Sequence, residues 1–528
     1  MPTYDEEVPV LIVGGAVTGL SAAVFLSSQG TPAMVVERHP DTLSHPRSRG
    51  INPRTVELYR QVGLEAALWR ESSLATDFSK LLMVRAETLA GPEVFSGPTD
   101  TPDPSGTVSP CEWVPIDQDR LELLLRQRAT ELGAQLRFHT ELTSFSQDDD
   151  GVSAQLTDVA TGTTRTVRAE YLIAADGSRS PIRQQLGIGV QGPGEFATTL
   201  SLLFEADLSK AARGRPIGVC YLDQPSPSTI LFAHDGERSW IFATAMPPGS
   251  SLTELTDDRC VELVRAAIGQ PDLDVTIRPQ LPAGGAKVLN FWIGAQVAEA
   301  YRRGRVFLAG DAAHLVPPTG GFGASTGIQD VHNLAWKLAA VRSGAAGPGL
   351  LDTYQAERQP VAWMTLQGTM RMMQQRTGQP EQDDTVPDYG TLVFGYRYTP
   401  GAPVSPAALS GEPGTRAPHL KLERGATTMS TLDLFGRHPV LLVGPDGGEW
   451  IAAARAATNA LQVPLDALRV GDDLVDSGER FLAGYGVSPA GAVLVRPDGF
   501  VAWRATAMEP DPAGQLRAAL DEMLVRTG

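Results

Sequence analysis

The sequence predicts an α/β protein in which a Rossmann-like nucleotide-binding domain contains an inserted antiparallel sheet and precedes a compact C-terminal domain. Three observations support this fold class. A short apolar strand near the N-terminus ends in a glycine-rich turn and a helix, which is the start of a βαβ unit. Segments of alternating polarity fill the region 181–299, and a second pattern of strands and helices fills 410–528.

The size and charge of the chain limit the kinds of protein that it can be. Its 528 residues exceed the size at which a single hydrophobic core stops growing, so we expect two or three domains. The hydrophobic share of 42% and the charged share of 20% are ordinary for a globular protein. A formal net charge of -17 argues against nucleic acid or anionic lipid as a partner.

The cysteines and the apolar segments bear on location. Cys111, Cys220 and Cys260 are too few and too scattered for a disulfide framework or a CxxC metal site, so we expect no bound metal and a reducing compartment. The acidic start of the chain lacks the pattern of a signal peptide, and no apolar run approaches the roughly 18 residues of a membrane helix. The sequence predicts a cytoplasmic protein without stable membrane insertion.

The N-terminal segment predicts a dinucleotide site. The apolar run 10–13 stops at Gly14 and Gly15, a helix follows over 20–29, and the strand 31–37 ends in Glu37. Glycines let a pyrophosphate approach the backbone N–H groups at the start of the helix, where the helix dipole favours negative charge. An acid at the end of the second strand suits ribose hydroxyls and disfavours a 2′-phosphate.

One position departs from this G-x-G-x-x-G pattern. Gly14 and Gly19 take the outer positions, but Ala16 occupies the middle one, with Gly15 beside it. Two alternatives without a nucleotide therefore stay open: the glycines serve close packing in an ordinary βα turn, and Glu37 is a solvated acid at the strand end.

A second turn decides which nucleotide is favoured. The apolar strand 305–308 leads to Gly310 and Asp311, then to a glycine-rich loop ending at Gly327, and then to a helix. FAD is long enough to reach from the first turn to the second, with Asp311 on its ribityl hydroxyls and the helix start facing its ring system, whereas NAD needs no second turn. The sequence therefore favours FAD.

The residues of this second turn carry a family resemblance. The segment 310–338, GDAAHLVPPTGGFGASTGIQDVHNLAWKL, resembles the class A FAD-dependent aromatic hydroxylases, the para-hydroxybenzoate hydroxylase-like family, and most closely the branch acting on anthracycline and angucycline polyketides. The segments 45–52 (HPRSRGIN), 116–121 (IDQDRL) and 171–183 (YLIAADGSRSPIR) agree with it, over roughly residues 8–400. The resemblance and the two turns together assign FAD contacts to Gly14, Gly15, Ala16, Thr18, Gly19, Glu37, Arg38, Arg49, Gln118, Leu142, Asp176, Asp311, Pro317, Gly321, Gly323 and Ala324.

The family resemblance gives the middle of the chain a role. The segments 199–204, 217–222, 229–233 and 240–245 predict an antiparallel sheet, which in the family roofs a cavity for substrate. Its aromatic residues suit flat apolar rings, although we expect most of them to be core: Phe204, Tyr221, Phe232, Trp240, Phe242, Phe291 and Trp292.

The remaining segments complete a domain plan. We expect an FAD-binding domain at 1–180 and 300–350, the substrate sheet at 181–299, a long helix and linker at 351–400 with loops to 418, and a C-terminal domain at 410–528. The last resembles the thioredoxin-like tail of the polyketide hydroxylases. Since no cysteine follows Cys260, a dithiol reaction is excluded there, and a structural or dimer-contacting role in a monomer or homodimer is favoured.

The implied reaction is transfer of one oxygen atom from O2 to an electron-rich polycyclic aromatic ring, with NADPH or NADH as transient electron donor. Tyr221 and Arg376 resemble a tyrosine and an arginine implicated in the anthracycline hydroxylases, and an arginine would stabilise the phenolate and lower its pKa. His314 is a possible base, but a packing role is favoured. Alternatives are Baeyer-Villiger oxygenation of a polycyclic ketone and a noncatalytic flavin- or ligand-binding protein; no W-x-W-x-I-P halogenase segment is present.

Overall fold

The computed structural model describes residues 4–41, 48–72, 80–99, 102–103, 105–227, 229–235, 238–246, 255–280, 286–376 and 386–526. The strands are β1 (Glu6–Val13), β2 (Ala33–Val36), β3 (Leu82–Ala86), β4 (Glu93–Pro98), β5 (Gln135–Arg137), β6 (Thr140–Gln147), β7 (Val152–Asp158), β8 (Thr164–Ala174), β9 (Val190–Glu205), β10 (Ile217–Leu222), β11 (Thr229–Ala233), β12 (Ser239–Ala245), β13 (Thr276–Arg278), β14 (Val288–Ala298), β15 (Arg302–Arg303), β16 (Val306–Leu308), β17 (His314–Leu315), β18 (Lys421–Arg424), β19 (Thr427–Ser430), β20 (Val440–Val443), β21 (Asp466–Arg469), β22 (Ala492–Val495) and β23 (Val501–Ala505).

The helices are α1 (Val17–Ser28), α2 (Pro53–Gln61), α3 (Glu65–Arg70), α4 (Gln118–Glu131), α5 (Pro181–Gln185), α6 (Asp257–Ile268), α7 (Phe322–Arg342), α8 (Thr353–Arg376), α9 (Tyr389–Phe394), α10 (Gly448–Leu461), α11 (Phe481–Tyr485) and α12 (Pro512–Met523). Short 3-10 helices lie at Gly310–Ala312, Pro348–Asp352, Pro406–Ala408 and Thr431–Leu434.

The first sheet forms the Rossmann-like part of the molecule. Its strand order is β15-β16-β8-β1-β2-β5, with β7 and β6 extending from β8. The strands β1, β2, β5, β8 and β16 run parallel. Val10, Leu11 and Ile12 of β1 are fully buried, as expected for a parallel strand covered on both faces. The predicted Rossmann-like architecture is confirmed.

The second sheet is the middle sheet, with strand order β17-β14-β9-β12-β11-β10-β3-β4 and with β13 paired to β9. Most of its pairs are antiparallel, which confirms the predicted inserted sheet. The hairpin β3–β4 adds to this sheet through a parallel β3–β10 pair, although the sequence placed residues 82–98 with the nucleotide-binding part. The pairing is non-local, so local sequence patterns could not reveal it.

The C-terminal part has its own sheet, ordered β21-β20-β22-β23. Strands β20 and β21 run parallel across α10, whereas β20–β22 and β22–β23 are antiparallel and α12 follows. This βαβ unit followed by a ββα unit has the connectivity expected for the predicted thioredoxin-like domain, which stays a prediction. In the segment predicted as linker, residues 377–385 lie outside the described residues, while α9 packs Leu392, Val393 and Phe394 into the main core because this run is apolar.

Buried ion pairs attach the C-terminal part to the Rossmann-like part. Glu357 on α8 accepts hydrogen bonds from Lys337 on α7, at 2.7 Å, and from Arg496, at 2.7 and 2.8 Å. Burial alone would raise the pKa of Glu357, but Arg496 and Lys337 outweigh it and lower the pKa to about 2. A second buried cluster joins Glu57 on α2 to Arg54 and Arg416. Separating these parts would leave charges buried without partners, so the contact is specific.

The first and second glycine turns pack directly against each other. Thr18, in the first turn of α1, lies against Gly310 at the second turn and against Gly327 in α7. A Cβ added at Gly310 would come within 2.5 Å of the Thr18 hydroxyl, and one added at Gly327 within 2.7 Å. The backbone at Gly310 has a φ of +59°, which also favours glycine. Glycine therefore brings the two turns together.

We predict that Gly310→Ala lowers the free energy of unfolding by about 3 kcal/mol, since left-handed strain and overpacking against Thr18 add together. Gly187→Ala is the matched control: its φ is +64°, and no described atom lies within 4 Å of an added Cβ, so it should cost only about 1 kcal/mol. Urea unfolding measures both. Adding Thr18→Ala should restore part of the Gly310→Ala loss; equal losses for the two single variants would contradict the packing argument.

Candidate active site

The turn after β1 leaves the start of α1 open. Within the described residues no side chain caps this helix, and its first turn holds no acidic residue. Gly14 has a φ of +111°, and an added Cβ would meet the Ala175 carbonyl oxygen at 2.2 Å; one at Gly19 would meet the Gly14 oxygen at 1.9 Å. Close chain packing therefore accounts for both glycines, while the uncapped N–H groups suit an anion.

The departure at Ala16 has a structural explanation. Ala16 is the residue that precedes α1, and its φ of -85° and ψ of -174° describe an extended backbone that any residue can adopt. The middle position of the motif therefore does not need the conformational freedom of glycine here.

Glu37 lies over this turn. One carboxylate oxygen accepts the Gly15 N–H at 2.8 Å, and the other accepts the His39 N–H at 2.9 Å. Its side chain is 14% exposed, whereas the neighbouring Arg38 is exposed. The carboxylate is fixed at the edge of the turn and keeps acceptor capacity for hydroxyl groups.

Asp176 follows β8 at the same edge of the sheet. Its Oδ2 accepts the Ile182 N–H at 3.2 Å, while its Oδ1 is buried without a hydrogen-bond partner among the described residues. Burial raises the pKa of Asp176. A buried carboxylate oxygen beside the Gly14 turn fits a site that receives a polar ligand.

The second turn is held by Asp330, a fully buried residue of α7. Its carboxylate accepts the Gly310 N–H at 3.2 Å and faces His314 Nε2 at 2.6 Å and Arg358 Nε at 2.8 Å. Burial opposes ionisation, but the His314 and Arg358 charges and hydrogen bonds outweigh it and lower the pKa of Asp330. Asp311, next to Gly310, is partly buried. His314 is 1% exposed and engaged by Asp330, which favours its structural role.

The glycine-rich loop leads into a second open helix start. Pro317 is buried, and Gly321, with a φ of +70°, directly precedes α7. The helix begins earlier than the sequence suggested, so Gly323 and Ala324 lie in its first turn. Within the described residues no side chain caps α7 and no acid lies in that turn, so its N–H groups also face outward.

The segment before α4 brings two more predicted residues to the site. Arg49 Nη1 donates to Asp117 Oδ1 at 2.8 Å, and Gln118 exchanges hydrogen bonds with the Ser48 backbone at 3.1 and 3.2 Å. His45, Pro46 and Arg47, the start of the predicted segment, lie outside the described residues. Leu142 pairs with Leu156 in β6–β7 and packs against the main core.

The middle sheet has two different faces, because side chains alternate along each strand. One face packs against α6 and contains Phe204, Trp240 and Phe242, so three of the predicted cavity aromatics are core residues. Trp292 lies on that side and is 51% exposed. The other face carries the buried or partly buried side chains Val219, Tyr221, Ile230, Phe232, Ile241, Ala243 and Phe291.

Tyr221 and Arg376 meet on this second face, which we call the inner face. Arg376 Nη1 donates to the Tyr221 hydroxyl oxygen at 2.7 Å, and its guanidinium carbon lies 5.2 Å from the centre of the tyrosine ring. The contact suggested by the family resemblance is therefore present. It places the end of α8 against the inner face. Arg85 pairs with Tyr221 in the β3–β10 ladder and so projects from the same face.

Several residues of the site escaped the sequence analysis. Asp330, Arg358 and His234 carry no local signal, because each acts through a partner distant in sequence. Asp117 could have been noticed as the acid directly before Gln118. Arg85 lies within residues 1–180, which the sequence assigned to the FAD-binding domain, whereas its strand β3 belongs to the middle sheet.

The arrangement fits FAD. Two helix starts that no described side chain caps supply donors for phosphates. Acids after three strands at one sheet edge, including a buried carboxylate oxygen with no partner among the described residues, supply acceptors for hydroxyls. Among the described residues, no group of three or more metal-binding side chains occurs, and no helix is long and apolar enough to cross a membrane.

Comparison with known proteins agrees with the geometry. Residues 7–369 match a family model described as FAD binding domain, and residues 410–526 match one described as aromatic-ring hydroxylase, C-terminal. The chain is 43% identical to tetracenomycin A2 monooxygenase-dioxygenase of Streptomyces glaucescens, over 99% of this chain and 98% of that protein. It is 42% identical to 4-methyl-5-nitrocatechol 5-monooxygenase of Burkholderia sp, over 99% and 98%.

A solved structure shows the same fold. The crystal structure of aklavinone-11 hydroxylase with FAD and aklavinone superimposes with a TM-score of 0.90 at 36% identity, covering 100% of both chains. The predicted family and the predicted cofactor are confirmed. The chain therefore belongs to the FAD-dependent aromatic-ring hydroxylases and is a flavin-dependent monooxygenase.

Proposed function

We propose that this monooxygenase hydroxylates a polycyclic aromatic polyketide in antibiotic or other secondary metabolism, with O2 and with NADPH or NADH as co-substrates. The observation that carries this proposal is the polar Tyr221–Arg376 pair beside the apolar side chains of the inner face of the middle sheet. The names of two relatives, acting on tetracenomycin and aklavinone, support a polyketide substrate. We also propose that the enzyme works in the cytoplasm as a monomer or homodimer.

The width of the inner face supports several fused rings. Tyr221 pairs with Ile230, Ile230 with Ala243, and Ala243 with Ser201, so these side chains cross four neighbouring strands. Strands lie about 4.8 Å apart, which makes this row about 14 Å long. A single benzene ring would leave most of such a row without contact, whereas a flat polycycle would cover it.

Residues at the two turns would bind different parts of the FAD molecule. We propose that the N–H groups at the start of α1, from Ala16 to Gly19, bind the pyrophosphate beside Gly15, whose own N–H donates to Glu37, and that Glu37 binds the adenosine ribose. Arg38 and Leu142 would border the adenosine end, and Asp176 would offer its buried oxygen as an acceptor to a cofactor hydroxyl close to the pyrophosphate. Bound FAD supplies the redox chemistry that activates O2.

The second half of the cofactor would lie along the second turn. Asp311 would accept hydrogen bonds from ribityl hydroxyls, with Arg49 and Gln118 close to the phosphates and ribityl chain. Pro317 and the start of α7, at Gly321, Gly323 and Ala324, would border the ring system. The N–H groups of α7 favour negative charge there.

We predict that Asp311→Ala is purified largely without flavin. A hydrogen bond to a charged group contributes about 1.5–3 kcal/mol, so losing the ribityl contacts should weaken FAD binding by at least tenfold. The flavin-to-protein absorbance ratio measures occupancy. Asp352→Ala is the control, because Asp352 is 73% exposed and pairs with Arg302 at the surface. Full occupancy in Asp311→Ala would contradict the assigned role.

Proton handling falls to the pair on the inner face. A guanidinium can only donate, so the Tyr221 oxygen accepts from Arg376. This hydrogen bond stabilises the Tyr221 phenolate, so the hydroxyl can release its own proton to solvent. The phenolate can then take the proton of a substrate phenol. Ionising the phenol makes its ring electron-rich, as oxygen transfer to a ring carbon requires. The surrounding apolar side chains exclude water from the reacting ring.

We predict that Tyr221→Phe lowers kcat for hydroxylation by about 100-fold, because one proton-transferring group is lost. NAD(P)H oxidation should continue, with hydrogen peroxide replacing hydroxylated product. Tyr171→Phe is a close control: Tyr171 is 8% exposed and carries the Arg305 guanidinium 5.2 Å from its ring centre, but it lies on β8. It should retain wild-type kcat.

The products of these two variants separate the alternative reactions. Baeyer-Villiger oxygenation of a ketone needs no phenolate. If Tyr221→Phe kept its turnover and gave a ring-expanded ester, the function would be Baeyer-Villiger oxygenation and not hydroxylation. Mass spectrometry and NMR of the product distinguish the two outcomes, since both add one oxygen atom but at different positions.

A further inference from the structure

One buried carboxylate links the Rossmann-like part to the middle sheet near the cofactor site. Asp117 lies directly before α4, and its side chain is 9% exposed. Its Oδ1 accepts from Arg49 Nη1 at 2.8 Å, while its Oδ2 faces His234 Nε2 at 3.2 Å. The two partners are separated in sequence by 185 positions, so only the fold brings them to one carboxylate.

His234 belongs to the middle sheet. It follows β11 directly, and its N–H donates to the Ser239 carbonyl at 2.9 Å, which closes the β11–β12 hairpin. Because side chains alternate, His234 projects from the same side as Phe232, on the inner face where we place the substrate. The Asp117–His234 contact therefore depends on the position of this end of the middle sheet relative to α4.

The carboxylate depends on both partners. Burial disfavours the charged form of Asp117, but His234 and Arg49 outweigh it and lower the pKa to about 2. Charge-assisted hydrogen bonds of this kind are directional, and a buried carboxylate that loses one donor is left with an unsatisfied oxygen. Without His234, Asp117 Oδ2 would lack this donor, and both carboxylate oxygens would compete with any other anion for the Arg49 guanidinium.

We propose that His234 is a positioning residue for the cofactor: through Asp117 it orients Arg49 toward FAD. The position of the middle sheet relative to α4 therefore determines the affinity for FAD. The inference rests on the proposed contact between Arg49 and FAD. Coupling between binding sites is reciprocal. A substrate that holds the middle sheet in this position should therefore raise the affinity for FAD by the same factor by which FAD raises the affinity for substrate.

A double-mutant cycle on the holoenzyme tests the proposal, with the dissociation constant of FAD measured by the fluorescence of released flavin. His234→Phe keeps the ring but removes the donor, and we expect FAD to bind about tenfold more weakly. His234→Gln keeps an N–H donor, and the loss should stay within about threefold. Arg49→Gln should weaken FAD at least as much as His234→Phe, and the double variant should be no weaker than Arg49→Gln by more than about twofold.

A matched histidine controls for general effects. His438 is 33% exposed and lies 3.6 Å from Asp466, whereas His234 is 29% exposed beside Asp117. His438 is in the C-terminal part, so His438→Phe should leave the FAD dissociation constant unchanged. Urea unfolding of each variant separates loss of FAD from loss of folded protein.

The outcomes are distinguishable. If Arg49→Gln leaves FAD binding unchanged, the proposed Arg49–FAD contact fails, and the inference fails with it. If Arg49→Gln weakens FAD but His234→Phe has no effect, or if the two losses multiply in the double variant, the contact stands and the positioning role of His234 is overturned. Equal losses for His234→Gln and His234→Phe would also overturn it, because the donor would then be irrelevant.

Discussion

The buried carboxylate of Asp330 is the interaction on which the rest of the site depends. A buried charge must be compensated, and Asp330 is compensated by the Gly310 N–H, His314 and Arg358. Gly310 lies in the second turn, His314 follows that turn, and Arg358 lies on α8. The hydrogen bonds of this one carboxylate therefore fix α7, α8 and the turn bearing Asp311 relative to one another. Thr18 then seats α1 against the same turn.

The same two helices hold the C-terminal part. Lys337 on α7 donates to Glu357 on α8, and Glu357 also accepts from Arg496, which pairs with Asp498 at 2.6 Å. Trp336 donates to Asp498 at 3.1 Å. The C-terminal part thereby contacts the two helices that carry the proposed cofactor cradle.

Much of the fold was predictable from the sequence, because strands, glycine turns and helices are encoded by neighbouring residues. The two turns and the Tyr221–Arg376 contact followed from motifs and from a family resemblance. The Asp330 cluster, the β3–β10 pairing and the Asp117–His234 contact did not, since each joins residues far apart in sequence. The alternation of the middle sheet was visible, but which face is core depends on α6, so Phe204, Trp240 and Phe242 were not separable from Phe232.

The central claim is that this chain holds FAD which NADPH or NADH reduces for the oxygenation of a polycyclic phenol. Anaerobic stopped-flow absorbance of the holoenzyme tests it most directly, with each nucleotide and with or without an anthracycline- or angucycline-type phenol. The account predicts bleaching of the oxidised flavin band, accelerated by the phenol. A flavin that stays oxidised with both nucleotides, whether or not the phenol is present, would contradict it and indicate a noncatalytic flavin-binding protein.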